Sequence, residues 1–286
     1  MNRLKDYYNL TKPGIIYGNL LTASGGFLLA ARDHIDLTLL LFTLLGTSLI
    51  IASACVFNNY IDRNIDSRMA RTKNRALVSG LIRPVNALIF GLILGVIGVA
   101  ILTIYTNLFV VFIGISAFLI YVVLYGMVKR RSIHGTLVGT APGAASMVAG
   151  YCAVSNNINT AAVILFIIMV TWQMAHFYAI AISRLDDYKS AGIPVLPAVK
   201  GIRNTEIQML AYIGIFIVAT LCLTFFGYTG YVFAAVMLLL GLWWMYLSSR
   251  SFNSRNHQQS ARKLFLFSLI IIIALSFMLS VNALIT

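Results

Sequence analysis

Acid is scarce in this sequence. Only eight of 286 residues are Asp or Glu, and charged residues of both signs make up 10% of the chain. A soluble domain carries about 25% charged residues, so a water-exposed surface over most of the chain is excluded. Cysteine is sparser still. Cys55, Cys152 and Cys222 are odd in number and far apart, which fits neither a disulfide framework nor a metal-ligand spacing. No stretch between the apolar runs is long enough for a soluble domain, so any chemistry lies within a membrane or at its face.

What is abundant is apolar sequence, 60% of the residues. Runs long enough to cross about 30 Å of hydrocarbon fall at roughly 15–31, 37–60, 86–105, 108–128, 136–154, 161–182, 207–226, 230–247 and 264–285. Backbone in lipid must satisfy its own hydrogen bonds, so these runs are expected to be helices. The expected fold is therefore all-α, a polytopic membrane protein of nine transmembrane helices with residues 1–286 as one transmembrane domain. With the N-terminus inside, Arg32 is the single basic residue of 21 that falls in an outer loop. The positive-inside rule then places the N-terminus in the cytoplasm and the C-terminus outside. The net charge of +13 is thus a topology signal, and nucleic acid is not an expected partner. The first run resembles a signal peptide in following basic residues and ending in "LLAAR". "TKPG" at 11–14 reads instead as helix-start chemistry, with Thr11 as cap and Pro13 in the first turn, and predicts a retained helix.

Four of the eight acids form two clusters, each placed just past the inner end of a long helix. The first is "NNYIDRNIDSR" after the second helix, and the other is "ISRLDDYKSAG" after the sixth. Their separation by four helices suggests two four-helix pseudo-repeats followed by a ninth helix. Asn58, Asp62 and Asp66 recur at i, i+4 and i+8, and each such step drifts only about 40° on a helix, so their oxygens share a face. Two carboxylates at that spacing repel unless a cation lies between them. Hard oxygen ligands of this kind suit Mg²⁺, which takes one or two carboxylates, waters and substrate phosphate oxygens. "RMARTKNR" follows at once, with Arg68, Arg71, Lys73 and Arg75. Guanidinium and ammonium groups beside metal-binding oxygens make a diphosphate clamp.

In the sixth helix, "TWQMAHFYAIAISRLDD" places His176, Ser183 and Asp187 at offsets of 0, 7 and 11 on one expected helical face. His176 lies about 16 Å along the helix from Asp187, within the apolar region. A polar group at that depth faces a cavity or bundle interior, where it can ligate a porphyrin iron, orient an acceptor ring, or simply be hydrogen-bonded in the core. The small residues of "GTAPGAASMVAG" around Pro142 predict a close helix approach. "AGIPVLPAVKG" predicts a structured loop.

"TKPGI", "FNNYIDRNID", "RTKNR", "GYCAV", "WQMAHFYAIAI", "DDYKSAGIPVLP" and "ARKLFLFS" together resemble the intramembrane aromatic prenyltransferase superfamily. The stretch around His176 and Pro194 is similar to its haem-modifying branch. The resemblance runs from about Leu10 into the ninth helix. It implies a farnesyltransferase of a bacterial inner membrane, with its site at the cytoplasmic face. Farnesyl diphosphate and haem B are the implied substrates and Mg²⁺ or Mn²⁺ the implied cofactor. The product would be haem O, passed to a haem-copper terminal oxidase or another haem-handling protein. By the same resemblance, Asn58, Asp62, Asp66 and Asp187, with Asp186 nearby, would be metal-binding and catalytic. Lys12, Arg71, Lys73 and Arg75 would neutralise the diphosphate, and His176 would position the haem. Ser183 departs from the wider superfamily, which has an aspartate four residues before the position of Asp187. Two other readings of the residues stand beside this one: prenylation of a quinone-precursor ring, and a small membrane transporter.

Overall fold

A computed structural model describes residues 3–32 and 34–285. The helices are α1 (Arg3–Leu10), α2 (Pro13–Ala31), α3 (Leu37–Asp66), α4 (Pro84–Tyr105), α5 (Leu108–Val128), α6 (Gly135–Ser155), α7 (Thr160–Ser183), α8 (Leu185–Ser190), α9 (Leu196–Val199), α10 (Gly201–Phe225), α11 (Tyr231–Ser251) and α12 (His257–Ile285). Among the described residues nine of them are long and apolar enough to cross a membrane: α2 to α7 and α10 to α12. No described residue is in a strand. The chain is a multi-pass, all-α membrane protein.

Several boundaries move from the sequence expectation, all for one reason. Hydropathy marks where the side chains turn polar, whereas helical hydrogen bonds continue past that point. The first acid cluster therefore lies on the last two turns of α3 and not beyond them. Likewise α10 begins at Gly201 and α12 at His257, adding polar turns at the basic end of the bundle. The second cluster behaves in the opposite way. Arg184 adopts φ −122° and ψ 29° and ends α7, so Asp186 and Asp187 stand on the separate helix α8. The single face expected for His176, Ser183 and Asp187 is not continuous. Thr11 is also not a cap, because its hydroxyl donates to the Tyr8 carbonyl at 2.7 Å. Lys12 occupies the N-cap position of α2 with no side-chain cap, and Pro13 opens the first turn as expected.

Packing follows the small residues. α2 lies against α6, α6 against α7, and α7 against α10, while α12 closes the bundle by packing on α2, α7 and α11. At the α2–α6 seam the backbones nearly touch. A Cβ on Gly26 would collide with the Met147 carbonyl oxygen, and one on Gly150 with that of Ala23. Small residues admit this approach where lipid offers no hydrophobic drive for helix association. On the outside, Leu92, Val96, Phe112, Val218, Leu239 and Ile273 are exposed, which is the arrangement of a lipid-facing surface. Inside, α2, α3, α5, α6, α7 and α12 enclose a cavity that reaches the basic end.

Gly150→Leu is expected to wedge α2 from α6 and destabilise the fold by about 3 kcal/mol. A thermal melt of detergent-solubilised protein, followed by size-exclusion, checks this.

Candidate active site

The cavity has a volume of about 1500 Å³, and its two ends differ in character. Ile50, Ala54, Phe118, Met169, Leu269 and Ile272 line the inner part, while most of its charged lining lies at the basic end of the helices. Such a chamber accepts a long apolar molecule with an anionic head.

On α3 the three expected residues do share a face, and each is held by a cation from elsewhere. Lys12 Nζ donates to Asn58 Oδ1 at 2.8 Å. Lys129 pairs with Asp62 Oδ2, and Arg130 Nη2 reaches Asp62 Oδ1 at 3.2 Å. Arg75 Nη1 meets Asp66 Oδ2 at 2.5 Å. Asp62 and Asp66 are only 7% and 5% exposed, and burying two carboxylates so far requires such partners. Asn58 keeps its Nδ2 buried without a partner, a spare donor suited to an anionic oxygen.

Local backbone places these cations. Asn59, next to Asn58, donates from Nδ2 to the Leu10 carbonyl at 2.8 Å and pins the turn between α1 and α2. There Lys12 takes φ 54° and ψ 65°, a left-handed conformation costing about 1–2 kcal/mol for a residue with a Cβ. The turn is what aims its ammonium at α3. Thr72 Oγ1 donates to the Asp66 carbonyl at 2.9 Å and folds the 67–83 loop back, bringing Arg75 onto Asp66. Enclosure by protein, reinforced by the Arg75 and Lys129 charges, pushes the Lys12 ammonium down to about 8. Burial lowers Lys129 as well, against the pull of Asp62.

The opposite wall is α7. His176 is buried, and its Nδ1 lies 2.6 Å from Ser268 Oγ on α12. Ser268 donates its single hydroxyl proton to the Phe265 carbonyl at 2.6 Å, so in the neutral ring Nδ1 is the donor and Nε2 carries a bare lone pair. Trp172 stacks on the ring at 4.9 Å, and its Nε1 donates to the Ser268 carbonyl at 2.8 Å. Between the walls, α5 widens into a π-helical turn over Ile120–Tyr125, a deformation that recurs at functional sites. Tyr121 and Tyr125 stack there at 5.4 Å and line the cavity.

The profile of the UbiA prenyltransferase family matches residues 19–270. The chain belongs to the UbiA prenyltransferase family. It is 50% identical over 280 residues to the protein named protoheme IX farnesyltransferase from Yersinia pseudotuberculosis serotype O:1b, covering 98% of this chain and 95% of that one. In fold it is similar to the solved structure of a digeranylgeranylglyceryl phosphate synthase, with TM-score 0.80, 20% identity and 99% of each chain covered. It is also similar to a UbiA homolog from Archaeoglobus fulgidus bound to DMAPP and Mg²⁺, with TM-score 0.77 and 15% identity over 96% of this chain and 99% of that one.

In this UbiA prenyltransferase the cavity gathers Lys12, Asn58, Asp62, Asp66, Arg71, Arg75, His176, Asp186 and Asp187. Lys73 is exposed and does not line it, because the loop turns Arg75 inward at that point. Asp186 accepts from Gln258 Nε2 at 2.9 Å. Burial raises the Tyr188 phenol, opposed by the Arg71 and Arg184 charges beside it. Lys129 and Arg130 escape sequence reasoning because they read as ordinary topology charges, although they follow the span whose end faces Asp62. Ser268 and Tyr121 carry no signal beyond their being polar groups in apolar runs.

The site makes anion binding depend on pH. Lys12 is protonated in the free protein below about 8. Above that value an incoming anion must draw in a proton, so affinity for inorganic diphosphate falls by up to about tenfold per pH unit. Lys12→Arg, which stays charged, is expected to flatten that slope in a calorimetric titration from pH 7 to 9.5.

Proposed function

We propose that this chain transfers the farnesyl group of farnesyl diphosphate to a vinyl group of protohaem IX, making haem O. The observation that carries the reading is one cavity holding an acid face threaded with cations on α3 and, opposite, a buried histidine with a bare Nε2. The names of the 50% identical relatives support the same acceptor. The loading of Lys and Arg at the site end of the bundle supports a cytoplasmic site in a bacterial inner membrane, with the N-terminus cytoplasmic and the C-terminus periplasmic.

Each residue then has a task. Lys12, Arg71, Arg75 and Lys129 bind the diphosphate and stabilise the charge it gains as the allylic C–O bond breaks. Asn58, Asp62 and Asp66, with Asp187 from α8, are the oxygen donors for a divalent cation, Mg²⁺ or Mn²⁺. Among the described residues no three His, Cys, Asp or Glu side chains close on one point. Asp62, Asp66 and Asp187 would therefore not all ligate one ion directly, and water and phosphate oxygens would complete its shell. Such an ion would supply positive charge to the departing diphosphate, and the similar UbiA homolog from Archaeoglobus fulgidus is bound to DMAPP and Mg²⁺. The face of Tyr121 away from Tyr125 offers its quadrupole to the farnesyl cation, while the Tyr125 ring stacks on Tyr121 and carries the Lys129 ammonium over it. The vinyl electron pair then forms the new C–C bond, water adds its oxygen to the carbon left electron-poor, and a proton departs. The apolar inner chamber keeps water from the cation before the vinyl reaches it. His176 Nε2 faces the haem iron and holds the acceptor in place.

Purified protein given farnesyl diphosphate, Mg²⁺ and haem B, beside a parallel reaction with 4-hydroxybenzoate, tests this by product mass. A chelator-sensitive haem adduct is expected. Prenylated hydroxybenzoate alone would reassign the acceptor, and no product from folded protein would remove the enzymatic reading. Asp62→Asn is expected to lower turnover at least about a hundredfold while leaving the protein folded and inserted, as size-exclusion in detergent would show. His176→Ala is expected to weaken haem binding about tenfold in an absorbance titration, with farnesyl diphosphate binding intact.

A further inference from the structure

The basic end of the cavity has a second charged wall, on which the mechanism above does not draw. Arg184 stands at the break between α7 and α8, and Arg262 lies in the second turn of α12, with Gln258 and Gln259 one turn before it. All four line the cavity. Lys12, Arg75 and Lys129 each engage an oxygen of α3. Arg184 and Arg262, in contrast, make no side-chain hydrogen bond or ion pair among the described residues. The neighbouring acid Asp186 accepts from Gln258 and pairs with neither arginine.

Their position relative to His176 is informative. Arg184 follows His176 by eight residues, about 12 Å along α7, and Arg262 precedes Ser268 by six, about 9 Å along α12. Ser268 is the residue bonded to His176. Both residues thus lie on the mouth side of the histidine, at an axial separation comparable to the reach of a porphyrin's carboxylate arms from its iron. Protohaem carries two propionates on one edge and two vinyls on the opposite edge. Carboxylates bind guanidinium groups in forked pairs, and two cations without internal partners are the available sites for them.

We propose that Arg184 and Arg262 bind the haem propionates and so decide which edge of the acceptor is presented to the diphosphate wall. This rests on the haem reading of the cavity and adds to it the residues that orient the ring. With its carboxylate edge held on the α7–α12 side, haem turns its vinyl edge toward α3. The Gln258 amide is engaged by Asp186, while Gln259 lines the cavity beside the two arginines. These are specificity and positioning residues, and no proton or leaving group passes through them.

The test compares protohaem with its dimethyl ester, in which both propionates are masked, using wild-type enzyme, Arg184→Gln, Arg262→Gln and the double variant. Loss of charge-assisted pairs of this kind corresponds to about tenfold or more. The wild type is expected to show a KM for haem at least about tenfold below that for the ester. In the double variant the haem KM should rise to the ester value, while ester turnover and the KM for farnesyl diphosphate stay unchanged. Ester turnover at wild-type level shows that the variant is folded. Persistent preference for the free acid in the double variant would overturn the assignment, as would a rise confined to the farnesyl diphosphate KM. Loss of ester turnover as well would assign the arginines to the fold and overturn it too. If the wild type prenylates no haem at all, the functional reading itself falls and this one with it. If it does and the variants still discriminate, only the propionate assignment falls.

Discussion

Two buried carboxylates on α3 organise the basic end of this bundle. Removing a carboxylate from water costs several kcal/mol unless a cation and further hydrogen bonds accompany it. Asp62 and Asp66 receive theirs from two separate segments, the end of α5 and the 67–83 loop, while Lys12 at the head of α2 binds Asn58 one turn away. Three connections are thereby tied to one helix face. A buried ion pair contributes little net stability compared with apolar packing of the same volume. The arrangement is better understood as holding charge in place for a ligand. The strained Lys12 turn, fixed by Asn59, fits that view, because it gains the fold nothing except the placement of an ammonium.

The rest of the cavity follows from keeping that charge at one end. The proposed substrates, farnesyl diphosphate and haem, are both large and apolar with anionic groups at one end, so a chamber apolar within and basic at its mouth would bind both in defined orientations. Small residues at the α2–α6 seam draw two walls together, and the π-helical turn of α5 brings two tyrosines into the space between α3 and α6. Neither feature would improve a bundle whose only task was to sit in lipid.

Much of this was legible in the sequence because its physics is local. Nine apolar runs, a one-sided distribution of Lys and Arg, and oxygens at i, i+4 and i+8 all report on a single helix or loop. Asp187 shows where that reading stops. Periodicity continued α7 through it, but Arg184 breaks the helix, and nothing local distinguishes "ISRLDD" from a helical continuation. Lys129, Arg130 and Ser268 were opaque for a different reason. Their roles exist only through partners 67, 68 and 92 residues away, and pairings of that range leave no mark in periodicity or composition. Lys73 and Arg75 were equivalent as sequence, and only the fold of their loop separates them. The early starts of α10 and α12 were hidden because hydropathy sees lipid and not hydrogen bonds, which is why Gln258, Gln259 and Arg262 were missed as lining.

Depth along the helices gives the site its last constraint. α3 and α7 both end at the basic side, at Asp66 and Ser183. Counted back from those ends, Asn58 lies about 12 Å deep and His176 about 10 Å. Asn58 and His176 thus lie at similar depths below the ends of their own helices, with Gln173 about one turn deeper on α7. In the proposed reaction, diphosphate bound among the cations at Asp62 and Asp66 would point its allylic carbon inward, toward Asn58, and haem held by His176 would bring its vinyl group from the α7 side. The bond would then form below the charged mouth, where the leaving anion is stabilised and the apolar chamber keeps water scarce.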